Sequence, residues 1–330
     1  SDMKSMPRIK IAHLPTAVEA LPRLSSKLAG PMILVKRDDQ TGLALGGNKT
    51  RKLEFLMADA QAHGAQIVIS AGAVQSNHCR QTAAAAARLG FGCILVLNLP
   101  PEKDIDPGAT MQANGNLLLD QLLGAEIVWA QRDERDQKLQ AVFDQAWENG
   151  KRPYLIPYGG SNPTGALGYV FAMQELLDQN VSPDWLIIPS SSAGTQAGLV
   201  LGAKLFGYTG KILGISIDEP AQKLKSRVAQ LATMTADLLG EKMVFSADEI
   251  LVNDKYLGAG YGVMGENEME AIKIFASMEG LLLDPVYTGR AAAGFLDLIR
   301  KGFFEPSEKV LFWHTGGAPA LFADRYRSMV

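Results

Sequence analysis

Residues 43–60 read "LALGGNKTRKLEFLMADA", and this stretch decides how the rest of the chain is interpreted. Two glycines precede an amphipathic helical pattern whose first turn carries Lys49, Arg51 and Lys52. The N-terminus of a helix carries partial positive charge, so cations are disfavoured there. The sequence therefore raises the question of what a lysine gains from this position.

The composition is that of an ordinary globular protein that binds small molecules. The 330 residues are 47% hydrophobic and 20% charged, which is enough for a substantial core in two domains or one large α/β domain. A net charge of -3 provides no basic field for nucleic acid or an anionic membrane surface, and no apolar run approaches the roughly 18 residues of a membrane span. Cys79 and Cys93 are too few for a disulfide framework, so we expect a cytoplasmic protein.

Short aliphatic runs alternate with helical patterns along the chain. The runs are nearly continuous in hydrophobicity, which indicates strands buried on both faces in parallel sheets between helices. They occupy residues 32–39, 66–72, 93–99, 126–130, 154–160, 185–191, 211–217 and 310–317. The sequence therefore predicts an α/β fold with open, mostly parallel twisted sheets flanked by helices.

Glycine punctuates this pattern. Helical patterns at 50–64, 78–90, 115–124 and 136–150 each end in glycine, the residue favoured where a helix terminates in a left-handed conformation. A segment rich in glycine, proline and asparagine, 156–168, predicts a domain junction near residue 160, and 99–110 is predicted to be a surface loop.

Polar or glycine-rich loops follow four of the predicted strands, at 45–50, 70–81, 190–199 and 314–321. Ligands of open parallel sheets bind at the carboxyl ends of strands. In "SSSAGTQAGL" (190–199), small residues leading into a helix predict either a phosphate cup of backbone N–H groups or a tight turn capped by Ser192 or Thr195. In "HTGG" (314–317), the Thr315 hydroxyl is able to hydrogen-bond a ring nitrogen.

Three interpretations of Lys49 compete. It is a solvated lysine on a surface helix, the lysine of a nucleotide-binding P-loop, or a lysine that bonds covalently to pyridoxal phosphate. The P-loop spacing fails because Asn48, not glycine, precedes the lysine. For a covalent lysine the unfavourable position becomes useful, since nearby positive charge and desolvation lower its pKa and activate the amine.

The motifs together resemble a known enzyme family. They are "GGNKTRKLEFLMADA" (46–60), "SAGAVQSNHCRQTAAAAARLG" (70–90), "IPYGGSNPTGALGYV" (156–170), "SAGTQAGL" (192–199), "GAGYGV" (258–263), "LLLDPVYTGRAAAG" (281–294) and "HTGGAPALF" (314–322). This set is similar to the pyridoxal-phosphate lyases and deaminases that include D-cysteine desulfhydrase and 1-aminocyclopropane-1-carboxylate (ACC) deaminase. The resemblance implies the two-domain fold type II of the tryptophan synthase β-subunit group, and a homodimer. It places a large cofactor domain at 1–49 and 161–330 and a small mobile domain at 50–160.

The resemblance also assigns site residues. Lys49 is expected to form the Schiff base with pyridoxal 5'-phosphate and to move the substrate's α-proton. Asn77 is expected to bond the cofactor's phenolic oxygen, and Ser76, with the backbone around His78, the substrate carboxylate. The phosphate is assigned to Ser192, Ala193, Gly194 and Thr195. Thr315 is the candidate partner of the pyridine nitrogen, with Thr288 nearby.

Two tyrosines complete the implied site. Tyr261 and Tyr287 are predicted beside substrate and cofactor, so Lys49, Tyr261, Tyr287 and Ser76 are the predicted catalytic residues. The histidines and cysteines show no metal-ligand spacing, and no catalytic metal is expected.

Differences within the family favour one reaction. ACC deaminases carry Gln at position 78 and Glu at position 288, whereas this chain has His78 and Thr288. The resemblance then implies β-elimination of D-cysteine, an amino-acid substrate, to hydrogen sulfide, ammonia and pyruvate. Release of sulfite from L-cysteate is the main alternative. ACC deamination and a non-catalytic protein that binds pyridoxal phosphate or an amino acid follow behind.

Overall fold

The computed structural model describes residues 3–99 and 113–327, in which strands and helices alternate along most of the chain. The strands are β1 (Val18–Ala20), β2 (Met32–Arg37), β3 (Ile67–Gly72), β4 (Gly92–Asn98), β5 (Glu126–Ala130), β6 (Pro153–Leu155), β7 (Trp185–Ser190), β8 (Lys211–Ser216), β9 (Leu251–Asn253) and β10 (Lys309–His314). The helices are α1 (Pro22–Leu28), α2 (Asn48–Ala62), α3 (Asn77–Leu89), α4 (Gly115–Leu122), α5 (Arg135–Glu148), α6 (Pro163–Asp178), α7 (Gly194–Phe206), α8 (Ala221–Leu238), α9 (Glu266–Glu279), α10 (Thr288–Arg300) and α11 (Asp324–Arg327). Apart from Leu99, the loop predicted at 99–110 lies outside the described residues.

The strands form two separate sheets. One has the order β1-β2-β10-β7-β8-β9, in which only β1 runs antiparallel to its neighbour, and the other has the all-parallel order β5-β4-β3-β6. Every residue of β7 is buried, as continuous hydrophobicity predicts for a central parallel strand. The predicted α/β fold with mostly parallel sheets is confirmed, while the short strands β1 and β9 were not predicted.

The predicted glycine terminators also occur in the structure. Gly64, Gly90, Gly124 and Gly150 follow α2, α3, α4 and α5, with φ angles of 68°, 80°, 83° and 72°. These are left-handed conformations that glycine adopts without steric cost. The sequence therefore located the ends of these four helices to within a residue or two.

Helix α2 packs against structure from both sides of the predicted domain boundary. Phe55 joins a cluster with α6, α7 and α8, whereas Leu53, Leu56 and Met57 pack with Val68 of the four-stranded sheet. That sheet lies wholly within residues 50–160. The division at residues 49/50 and 160/161 stays a prediction.

A buried ion cluster fixes the first turn of α2. The Arg51 guanidinium donates to both carboxylate oxygens of Asp38, at 2.7 and 3.0 Å, and to both of Glu175 in α6, at 3.1 and 2.8 Å. Asp38 also accepts hydrogen bonds from Tyr169 at 2.6 Å and from Trp313 at 2.8 Å. Burial alone would raise the pKa of Asp38, but the charge and hydrogen bonds of Arg51 hold that pKa below its usual value. The cluster therefore ties α2 to the six-stranded sheet and to α6.

Replacing Arg51 by methionine should reduce the free energy of unfolding by about 3–5 kcal/mol, because Asp38 would keep a buried charge without its partner. Urea unfolding of the purified protein measures the change. Arg300→Met is the matched control, since the Arg300–Glu270 pair is exposed at 44% and 51% and should contribute about 0–1 kcal/mol. Equal losses in the two variants would show that burial of the Arg51 pair is not what matters.

Candidate active site

Lys49 lies where two loops meet. It is in the first turn of α2, and the preceding Asn48 N–H donates to the Thr315 carbonyl at 3.0 Å. A Cβ added at Gly316 would lie 3.0 Å from the Gly47 Cα, so the loop after β10 touches the glycines before Lys49. Any larger residue would separate these loops and move the lysine.

Lys49 and Lys52 converge on one carbonyl. The Nζ atoms of Lys49 and Lys52 donate to the Gly159 carbonyl at 2.9 and 3.1 Å. Burial lowers the pKa of Lys49 to about 8, with a hydrogen bond to Lys52 opposing the shift. The pKa of Lys52 falls well below its usual value, first through burial and then through the neighbouring Lys49. For Lys49 the expected lowering is present, but burial causes it, not a neighbouring cation.

The N-terminus of α7 faces the same pair of lysines. A Cβ at Gly194 would lie 3.1 Å from the Lys52 Nζ, and the Gly194 N–H donates to the Ser161 hydroxyl at 2.9 Å. Within the described residues, the N–H groups of Thr195 and Gln196 have no hydrogen-bond partner. Positive charge from a helix start and a buried lysine thus converges without a counter-ion, which fits a phosphate group.

The alternative of a hydroxyl-capped turn at α7 is wrong. The residue at the cap position is Ala193, which has a left-handed φ of 83° and supplies no side-chain cap. The Ser192 hydroxyl instead bonds Ser161 at 2.7 Å, and Thr195 accepts from Asn48 at 3.1 Å. These hydroxyls therefore line the cup and join it to the Lys49 loop.

A second anion site lies at the start of α3. Ser76 caps the helix by accepting from the Cys79 N–H at 3.1 Å. In the described part of the chain, no group accepts from the N–H of Asn77 or His78. Two free N–H groups at a helix start suit a carboxylate.

The His78 side chain takes no part in that anion site. Its Nε2 lies 2.9 Å from the Ser70 hydroxyl, which itself donates to the Ile156 carbonyl. Burial, with Lys49 and Lys52 nearby, lowers the pKa of His78 well below its usual value, so the ring is neutral. Only the backbone of His78 is therefore placed to contact a substrate.

Asn77 and the tyrosine loop meet at Gly317. A Cβ at Gly317 would lie 2.7 Å from the Asn77 Nδ2 and 2.8 Å from the Asp284 Cβ. Asp284 accepts from the backbone N–H groups of Val286, Tyr287 and Thr288 at 2.7–2.8 Å. The loop after β10 thus joins the Lys49, Asn77 and Tyr287 segments in one place.

The two candidate threonines differ in what their hydroxyls do. The Thr288 hydroxyl donates to the Asp284 carboxylate at 2.7 Å and accepts from the Asp284 N–H at 2.8 Å. No described residue hydrogen-bonds the Thr315 hydroxyl. Thr288 is therefore committed to the loop, and the free hydroxyl is that of Thr315.

Tyr261 and Tyr287 form a hydroxyl pair. Their oxygens lie 2.5 Å apart and their rings meet edge to face at 71°. Burial raises the pKa of Tyr261 to about 12, and that of Tyr287 well above its usual value. Both phenols are protonated at neutral pH, so one hydroxyl proton of the pair is available to a third group.

The amine, the phosphate cup and the carboxylate site together fit one cofactor. The family model described as pyridoxal-phosphate dependent enzyme matches residues 9–316. The chain belongs to this family. Its members depend on pyridoxal phosphate, and the residues around Lys49 fit that group.

Individual proteins resemble the chain over nearly its whole length. A D-cysteine desulfhydrase of Salmonella choleraesuis (strain SC-B67) is 43% identical over 321 residues, which cover 96% of each protein. The solved structure of an ACC deaminase homologue is 36% identical, with a TM-score of 0.88 over 99% of this chain and 97% of its own. A threonine deaminase from Solanum lycopersicum, 17% identical, superposes with a TM-score of 0.64 over 93% of this chain and 80% of its own, and shows the fold alone.

Other kinds of site find no support. Within residues 3–99 and 113–327, no helix is long and apolar enough to cross a membrane. No group of three His, Cys, Asp or Glu residues in those ranges is arranged to hold a metal ion. Burial raises the pKa of the Cys79 thiol, which makes it a poor nucleophile.

Sequence reasoning missed four residues around the site. Lys52 faces the phosphate cup, Gly159 receives both lysines, Ser161 bonds the cup, and Asp284 holds the tyrosine loop. Lys52 had one usable signal, because residues three apart lie on the same helix face as Lys49. The other three carry no signal in the sequence.

Covalent capture of pyridoxal phosphate by the apoprotein should follow the pKa of Lys49. Only the unprotonated amine attacks, so a pKa of about 8 makes the rate rise with pH and level off above that value. Stopped-flow absorbance from pH 6 to 10 measures the rate. Acetyl-lysine methyl ester, measured in parallel, corrects for the cofactor's own ionisation. A rate that still rises tenfold per pH unit at pH 9.5 would contradict the lowered pKa.

Lys52→Met should weaken pyridoxal-phosphate binding by about 10- to 100-fold, the effect of losing one charge-assisted hydrogen bond. The apoprotein should be as stable as before or more so, because a buried amine that is costly to protonate has been removed. Fluorescence titration of the apoprotein measures the dissociation constant, and urea unfolding the stability. Lys138→Met, at an exposed lysine, is the control. Twofold weaker binding or less would remove Lys52 from the phosphate site.

Proposed function

We propose that this protein is a D-cysteine desulfhydrase that converts D-cysteine and water to hydrogen sulfide, ammonia and pyruvate. The observation that carries the proposal is the Lys49 amine, with its pKa lowered to about 8, beside an unneutralised cup at α7. The 43% identity to a D-cysteine desulfhydrase over 96% of both chains supports this choice of reaction.

Bound pyridoxal phosphate supplies an electron sink that makes the α-proton of an amino acid removable. The Lys49 amine holds the cofactor covalently until the substrate amine replaces it, and its Nζ then takes the α-proton. Lys52, the hydroxyls of Ser192 and Thr195, and the free N–H groups of α7 hold the phosphate. Thr315 donates to the pyridine nitrogen, and Asn77 to the phenolic oxygen.

The substrate carboxylate lies against the N–H groups of Asn77 and His78, with Ser76 beside it. The tyrosine pair faces the β-carbon, where sulfur leaves. Because both phenols remain protonated at neutral pH, one hydroxyl donates its proton to the departing sulfur as the carbon–sulfur bond breaks. The product side of the reaction then needs only water.

The charges around the tyrosines favour a thiol over a sulfonate. The carboxyls of Asp218 and Asp284 act on both phenols and raise their pKa values further. A second negative group on the substrate would meet these carboxyls, whereas a neutral thiol would not. L-Cysteate is therefore the disfavoured substrate of the two.

The remaining parts of the proposal concern the whole molecule. The four-stranded sheet within 50–160 supports a smaller domain that closes over the substrate. The active protein is a cytoplasmic homodimer. Size-exclusion chromatography with light scattering checks the dimer, and proteolysis with and without substrate checks the closure.

Purified yellow protein should release sulfide and pyruvate in equal amounts from D-cysteine, and neither from L-cysteine. L-Cysteate and ACC, assayed in parallel, should give no sulfite and no ammonia. Lys49→Ala should reduce turnover at least about 10³-fold while the protein stays folded. Lys138→Met is again the control. Sulfite from L-cysteate would replace the substrate and keep the site, whereas turnover by Lys49→Ala would overturn the mechanism.

A further inference from the structure

Asn116, in the first turn of α4, lies fully buried beside the Asn77 side chain. Every polar atom of its amide is used. Its Oδ1 accepts from the Arg80 Nε at 2.7 Å, and its Nδ2 donates to the Gln75 carbonyl at 2.9 Å and to the Asn77 Oδ1 at 2.9 Å. Asn116 thus links a cation to the asparagine next to Lys49.

The direction of these bonds is fixed by Arg80. A guanidinium has only donors, so the Asn116 atom facing it must be the oxygen. The Asn116 nitrogen then faces Asn77, and the Asn77 atom that meets it must also be an oxygen. The Asn77 nitrogen is consequently turned the other way, towards Gly317.

Arg80 itself is held on a second side. Its Nη1 donates to the carbonyls of Ala44 and Gly46, at 2.5 and 3.0 Å, in the loop before Lys49. Burial lowers the pKa of Arg80 only to about 10, so the group stays a cation at neutral pH. The guanidinium therefore cannot reverse its role as donor, and the two amides after it follow.

We propose that Asn116 is a positioning residue that holds the Asn77 NH₂ towards the phenolic oxygen of bound pyridoxal phosphate, an inference that rests on the proposed function. Without Asn116, Asn77 is free to turn its own oxygen to that site. An oxygen acceptor would then face the electron-rich phenolic oxygen, and a favourable contact would become a repulsive one. The relay Arg80–Asn116–Asn77 selects the donor.

Asn116→Asp tests the relay because a carboxylate keeps the shape and the bond to Arg80 but cannot donate to Asn77. The dissociation constant of pyridoxal phosphate should rise about tenfold or more. The pKa of the nitrogen that joins Lys49 to the cofactor, read from the pH dependence of the yellow colour, should rise by about one unit. Asn77 no longer draws charge from the adjacent phenolic oxygen, so that proton is held more tightly.

The same change in an Asn77→Ala background separates positioning from general stabilisation. If Asn116 acts through Asn77, Asn116→Asp should alter neither the dissociation constant nor the colour titration of Asn77→Ala. Equal effects in both backgrounds, or no effect in either, would overturn the inference. Asn149→Asp, the same substitution at an exposed position, is the control and should match the parent protein.

Two further measurements keep the test decisive. If Asn116→Asp does not fold, Asn116→Ala is carried through the same pair of backgrounds with the same expectation. Mass spectrometry of the borohydride-reduced parent protein shows whether the cofactor is attached to Lys49. Attachment elsewhere, or none, would overturn the proposed function and the inference with it. Attachment at Lys49 with unaffected Asn116 variants would overturn the inference alone.

Discussion

The buried pairing of Arg51 with Asp38 and Glu175 is the interaction on which the site depends. It fixes the first turn of α2 between the six-stranded sheet and α6. Lys49 and Lys52 lie in the same turn, so their amines are aimed by a helix that cannot rotate about its axis. Both reach the Gly159 carbonyl as a result.

Three cations at one helix start are tolerated for two different physical reasons. Arg51 is neutralised by carboxylates inside the protein, and its pKa is raised well above the usual value although burial opposes the shift. Lys49 and Lys52 have no carboxylate partner among the described residues, and burial lowers both pKa values. The site therefore holds unmet positive charge that a phosphate group relieves, which couples cofactor binding to the stability of this region.

The sequence predicts the fold where burial is continuous and fails where it is not. Strands such as β7, buried throughout, and helices ending in glycine leave a strong local pattern. The edge strands β1 and β9 have three residues each, none fully buried, so no periodicity distinguishes them from loops. Their pairing with β2 and β8 is decided by neighbours distant in the chain.

The site shows the same limit at the level of single groups. Motifs located Lys49, Asn77 and the α7 cup, because each follows a strand end. They could not separate Thr315 from Thr288, since only the position of Asp284 shows which hydroxyl is already used. Nor could they supply the orientation of an amide. That of Asn77 follows from a guanidinium acting through Asn116, 39 residues away in sequence, because a donor-only group leaves its neighbour one allowed direction.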